Sequence, residues 1–140
     1  MKLIDKSPSS KGDVLVYCDA EISNIIHTKI VGVERKNDDG SDRQTLIKRN
    51  AKLGQYLKLK PEPLNKFDPN AIGIWWNDVQ YGYISSDLAK DVKRLLDEHE
   101  YVHAVLMNIT GGTSDKPSHG VNIDLFVADK NFALEVRAPR

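Results

Sequence analysis

A single cysteine, Cys18, excludes an internal disulfide framework and leaves stability to apolar burial. No apolar run approaches the roughly 18 residues that a bilayer span needs. The start of the chain, Met1-Lys2-Leu3-Ile4-Asp5-Lys6, carries charge without an apolar stretch behind it, so it does not read as a secretion signal; a cytoplasmic location without membrane contact is expected. Histidine is sparse too. His27, His99, His103 and His119 show no Cys-x-x-Cys and no His-x-x-x-His on a helix, so neither metal nor cofactor is expected. His99 and His103 stand four apart, but the second falls where the pattern has turned to strand. The glycine loop from Gly111 to Gly120 contains Lys116 but no Gly-Lys-Ser/Thr, which removes a nucleoside-triphosphate P-loop. A hydrolase built on His119 or Asp115 lacks a placeable base and nucleophile pair, and the expectation is a protein that is not an enzyme.

What is present is an ordinary globular composition. The 140 residues are 40% hydrophobic and 29% charged, enough for one adequate core. The formal net charge is +0, yet it is unevenly distributed: residues 25–66 hold ten basic side chains against five acids, and residues 67–140 hold seven against eleven. Such asymmetry can focus positive potential on one face of a neutral protein, although a merely solvated charged face would look the same.

Residues 1–24 read as an N-terminal arm or leader, with Ser7-Pro8-Ser9-Ser10-Lys11-Gly12 flexible and Val14 to Tyr17 a short strand or docking arm. His27 to Val33 is β-branched enough for a strand. Leu46, Ile47, Ala51 and Leu53 suggest a short helix closed by Gly54. Gln55 to Lys60 alternates as a half-buried strand does, and Ala71 to Trp76 with Val79 to Ile84 form two apolar runs around Asn77-Asp78, a hairpin signal. Alternation places Trp75 and Trp76 on opposite faces, one core and one available. Ser86 reads as the N-cap of the main helix, with Leu88, Val92, Leu95 and Leu96 on one face as far as about Glu100. Tyr101 to Ile109 and Val121 to Ala128 complete the strands, and residues 129–140 are a C-terminal extension. The expectation is a mainly β fold, a small antiparallel OB-like or SH3-like barrel over residues 25–128 with one main and one short helix.

The strongest local signal is Pro61-Glu62-Pro63-Leu64-Asn65-Lys66-Phe67-Asp68-Pro69-Asn70-Ala71-Ile72, a rigid polar turn with one aromatic that runs into a buried strand. An acid, an amide and an aromatic within four positions suit the end of a nucleic-acid strand: the ring stacks, the carboxylate accepts from a sugar hydroxyl, and the amide donates to phosphate. The competing expectation is that Asp68 and Asn70 satisfy turn backbone while Phe67 plugs the core.

Gly32 after an apolar strand, Asp42-Arg43-Gln44 before a short helix, Gly54 and Leu57, Asn65 to Ile72, Tyr81-Gly82-Tyr83-Ile84, the helix, and Ile109-Thr110-Gly111-Gly112 occur in the order of a HIRAN domain. The sequence resembles that family over about residues 25–128. The resemblance implies an OB-like barrel that binds single-stranded DNA, with preference for a free 3′ end. It implies that Asp68 accepts from the terminal 3′-hydroxyl, Phe67 lies beside the terminal base, Asn65 contacts the strand backbone, and Tyr83 lines the pocket. Lys66 stands where a proline is usual and adds a cation; Arg35 and Arg43 are further candidates for phosphate contact. Glu34-Arg35 replaces a basic residue followed by an aromatic, and Ser85 and Ser86 stand where a lysine can occur. An alternative function is a protein-interaction module anchored on Trp75, Trp76, Tyr81 or Tyr83.

Overall fold

The computed structural model describes residues 1–139. These form β1 (Lys2–Ser7), β2 (Val14–Cys18), β3 (Asn24–Lys29), α1 (Arg43–Asn50), β4 (Tyr56–Pro61), β5 (Ile72–Trp76), β6 (Val79–Tyr83), α2 (Ser86–Asp97), β7 (Tyr101–Thr110), β8 (Gly120–Ala128) and β9 (Glu135–Arg137). All strand pairs are antiparallel, in a six-stranded sheet of order β3-β8-β7-β4-β5-β6 and a three-stranded sheet of order β1-β2-β9. The mainly β, OB-like class expected from the sequence is the observed one. The barrel is not closed by a continuous ladder. At the seam Val31 and Tyr83 form one bridge, exchanging two backbone hydrogen bonds of 2.8 and 3.0 Å.

Gly82 makes that seam possible. A Cβ at this position would lie 2.4 Å from the Val31 carbonyl oxygen and 2.6 Å from Ile30 Cγ2, so any side chain forces β6 away from the chain after β3. Gly82→Ala is therefore expected to destabilise the protein by about 2 kcal/mol or more, read as a lowered urea midpoint. An unchanged midpoint would show that the seam yields freely.

Residues 1–24 form a docked arm rather than a leader, and the strand expected at Val14 to Tyr17 is β2. β2 pairs with β1 on one side and with β9 from the C-terminal extension on the other, and the sheet they make packs on the barrel's outer face. Val14, Val16 and Cys18 alternate inward, almost wholly buried, against Val105, Met107, Phe126 and Ala128 of β7 and β8. The opposite face of β7 and β8 supplies Ala104, Leu106, Ile123 and Leu125 to the barrel core, around Ile72, Ile74 and Tyr81. Strands covered on both faces lose the polar alternation of half-buried ones, which is why these two read as nearly continuous apolar runs.

Three local expectations change. Asp42 caps α1 by accepting from the Thr45 N–H at 3.4 Å, but the helix ends at Asn50, before Gly54. Gly54 (φ +85) instead lets β9 approach, since a Cβ there would lie 2.7 Å from Ala138 Cβ. Ser86 is the first residue of α2 rather than its cap; Ser85 holds the cap position without a side-chain hydrogen bond, and the helix stops at Asp97. Trp76 packs on the core as one of the two tryptophans was expected to, but Trp75 is not a free ring. The register shift beside Ile74 and Trp75 leaves Tyr81 as the extra residue on β6, so β5 still alternates; both rings are half-buried, Trp76 against the core and Trp75 under the Lys60 ammonium, 4.1 Å from the ring centre.

Where the two sheets meet, His27 and Asp124 are cross-strand partners on β3 and β8, with His27 Nδ1 2.7 Å from Asp124 Oδ1. Asp124 is a buried acid, pushed up to about 7 by burial and by the adjacent Asp5 carboxyl group. The hydrogen bond to Asp124 raises the His27 imidazole in turn. His103 lies elsewhere, edge-on to Tyr56 and Phe132, and burial lowers it.

Candidate nucleic-acid interface

Between β4 and β5 the chain folds on its own side chains. Asn65 Oδ1 accepts from the Phe67 and Asp68 backbone N–H groups at 2.9 and 3.1 Å, and Asn65 Nδ2 donates to Glu62 Oε1 at 3.0 Å. Asp68 Oδ1 accepts from the Asn70 N–H at 2.9 Å, and the Asp68 carbonyl accepts from Ala71. These Asx bonds close the turn locally, as short polar side chains do next to proline. Asn65 is thereby a structural amide: its carbonyl oxygen holds the turn and its amino group holds Glu62.

The aromatic does the opposite of plugging the core. Phe67 is 98% exposed and Leu64 93%, two apolar side chains held outward by a clamped backbone. Asp68 Oδ2 has no hydrogen-bond partner among the described residues, so one carboxylate oxygen beside Phe67 remains available as an acceptor. Lys66, exposed between Asn65 and Phe67, adds the nearest cation in sequence.

The turn is wired to the barrel seam through Glu62, which the sequence alone did not single out. Glu62 Oε1 accepts from both Asn65 Nδ2 and the Tyr83 hydroxyl, each at 3.0 Å. Burial is the main cause that raises the Tyr83 phenol, so it stays protonated and donates. Arg43 stacks on the Tyr83 ring at 5.1 Å from its centre. Its guanidinium donates through Nε to Asn37 Oδ1 at 2.7 Å and through Nη1 to the Gly32 carbonyl at 2.9 Å. Arg43 is only 6% exposed and is a seam fastener, in contrast to the surface phosphate ligand expected from its charge. Arg35 remains exposed on the 32–42 segment, its backbone tied to Gly32 and Arg43. Glu34, Lys66 and Ser86 are exposed as well, and Ser85 is half-buried.

Two further features bound the site. Gln44 donates to the Val33 and His119 carbonyls and accepts from the His119 N–H, pinning the Gly111 to Gly120 hairpin loop to the seam. On another side, a groove of about 320 Å³ is lined by Asn37, Asp38, Asp39, Glu62, Trp75 and Asp78 among others. Its acids make this groove unfavourable for an anion. A polar signal for Glu62 was present, an acid between two prolines at a strand end, but nothing local showed that Tyr83 would meet it.

A curled antiparallel sheet with a side-chain-clamped turn and a single-bridge seam defines a small OB-type β domain. The model of the family described as HIRAN domain matches residues 23–116, and the chain belongs to the HIRAN domain family. The HIRAN domain of human HLTF is similar in structure, with a TM-score of 0.56 at 14% identity over 78% of this chain and 79% of that one. A protein from Lactobacillus plantarum gives a TM-score of 0.54 at 17% identity, covering 79% of this chain and 97% of that one. At these identities the likeness concerns the fold. No curated protein matches the chain.

Proposed function

We propose that this protein is a nucleic-acid-binding module, without catalytic activity of its own, that takes single-stranded DNA by its 3′ end. One observation carries the reading: Phe67 stands 98% exposed on a turn clamped from within, next to a carboxylate oxygen with no partner. A solvated phenyl ring on a rigid support is poised to stack on a terminal base, with little conformational entropy to lose. Asp68 Oδ2 then accepts a hydrogen bond from the 3′-hydroxyl, while Lys66 and Arg35 neutralise phosphates. Tyr83, held by Glu62 and Arg43, walls the pocket without needing a free hydroxyl. The protein-interaction alternative loses its expected anchors, because Tyr81 is wholly buried and Trp75, Trp76 and Tyr83 are half-covered.

Fluorescence anisotropy with 5′-labelled oligothymidylate tests this. A 3′-phosphate removes the donor and sets a dianion against Asp68, so the 3′-hydroxyl strand is expected to bind about tenfold tighter or more. Neutralising two phosphates gives a log K against log salt slope of about −1.4. Equal affinity for the two ends would sink end recognition, and absence of binding at low salt would sink the DNA reading altogether.

A further inference from the structure

We propose that Asp5, His27 and Asp124 form a site for one divalent transition-metal ion of the zinc class, which fastens the N-terminal sheet to the barrel.

The three side chains come from β1, β3 and β8, and they offer ligand atoms that all lie within 4.8 Å of one another. His27 Nδ1 and Asp124 Oδ1 are already 2.7 Å apart. Asp124 is 5% exposed, and Asp5 Oδ2 is buried with no hydrogen-bond partner. A register shift in β1 between Leu3 and Asp5 interrupts the pairing with β2 at this place, and bulges of this kind re-aim a side chain. Asp124 is withdrawn from water and Asp5 partly so, and two carboxylates this close are stabilised by a compensating positive charge. Among the described residues the one cationic partner is the largely exposed His27 imidazole on Asp124; neither acid is salt-bridged to a lysine or arginine, and Lys6, the nearest candidate in sequence, is paired with Asp13 at 3.4 Å. A dication would supply that charge in one step.

The donor set selects the metal. An imidazole nitrogen beside two carboxylates is a poor fit for calcium or magnesium, which favour all-oxygen shells, and suits zinc. Bonds of about 2.0 Å in a tetrahedral site put ligand atoms about 3.3 Å apart, a spacing these donors reach by small side-chain rotations. His27 is 70% exposed, so its Nε2 can carry the proton in water and leave Nδ1 free to ligate. A water from the adjoining groove, which Thr28, Lys29 and Asn122 help to line, completes the coordination.

Isothermal titration calorimetry of the untagged, chelator-stripped full chain with zinc chloride is the test, with thermal melting as the second readout. One equivalent should bind and raise the melting temperature. Removing even an outer partner of a metal ligand commonly costs 10–100-fold, so Asp5→Asn and His27→Gln should each weaken binding by about tenfold or more and reduce the thermal gain. Both residues are exposed enough for the variants to fold, unlike Asp124. A cobalt(II) visible spectrum that changes in His27→Gln would locate nitrogen ligation at that ring. No uptake at micromolar zinc would overturn the proposal and leave a proton shared between the acids. Binding that survives in both variants, or that excess magnesium displaces as readily as zinc does, would overturn it equally.

Discussion

Phe67→Ala is expected to weaken binding of a 3′-hydroxyl single strand by about tenfold or more, since base stacking on an aromatic contributes about 1–3 kcal/mol per base. Its melting temperature should stay that of the parent protein. The two outcomes separate because the ring is 98% exposed, and the bonds that shape the turn come from Asn65, Asp68 and backbone amides rather than from the phenyl group. Anisotropy titration and a thermal melt on the same preparation decide it. A fall in stability that matches the loss of affinity would mean that Phe67 supports the fold, and Phe67→Trp should retain binding because the larger ring stacks as well.

The second large effect is on stability and concerns Arg43. Arg43→Met should destabilise the protein by about 3 kcal/mol, because it strips charge-assisted hydrogen bonds from Asn37 and the Gly32 carbonyl and removes the cation over Tyr83. Arg43→Lys should recover little of this, as an ammonium cannot reproduce the planar fork that serves both acceptors. Arg35→Ala provides the contrast. Exposed on the segment that precedes α1, it should change stability by no more than about 0.5 kcal/mol while lowering strand affinity and flattening the salt dependence. Urea denaturation beside strand titration distinguishes the two arginines. Normal stability with lost binding in Arg43→Met would return that residue to the phosphate contacts.

Much of the barrel was legible because its signals are local. Gln55 to Lys60 alternates, Asn77-Asp78 separates two apolar runs, and the Leu88 to Leu96 spacing belongs to one helix face; each rests on periodicity that neighbouring residues impose on one another. β4, the β5–β6 hairpin and α2 stand close to where these patterns put them. The turn from Asn65 to Asp68 was legible for the same reason, since Asx bonds span two or three residues. The N-terminal sheet was legible only as a short strand or docking arm at Val14 to Tyr17. Val14 to Cys18 is too short for its alternation to stand out, and what buries it is β9 and the outer faces of β7 and β8, more than eighty residues away.

Arginine and histidine roles show the same division. Arg35 and Arg43 were both candidates for phosphate contact, whereas burial of one and exposure of the other separates them. Sequence spacing did not bring Asp5, His27 and Asp124 together, because they share no motif and meet only through strand pairing and the stacking of two sheets. Glu62 became the link between turn and seam once Tyr83 reached it across the β4–β5–β6 sheet.

The sequence by itself determined the mainly β class, the main helix, the clamped Asn65 to Ile72 turn and membership of the HIRAN domain family, since these depend on periodicity and on contacts within a few residues. Only the tertiary structure decided that Phe67 faces solvent, that Arg43 holds the seam, and that residues 1–24 belong to the folded body. Exposure and long-range pairing depend on which distant strands share a face, and no local pattern encodes that choice.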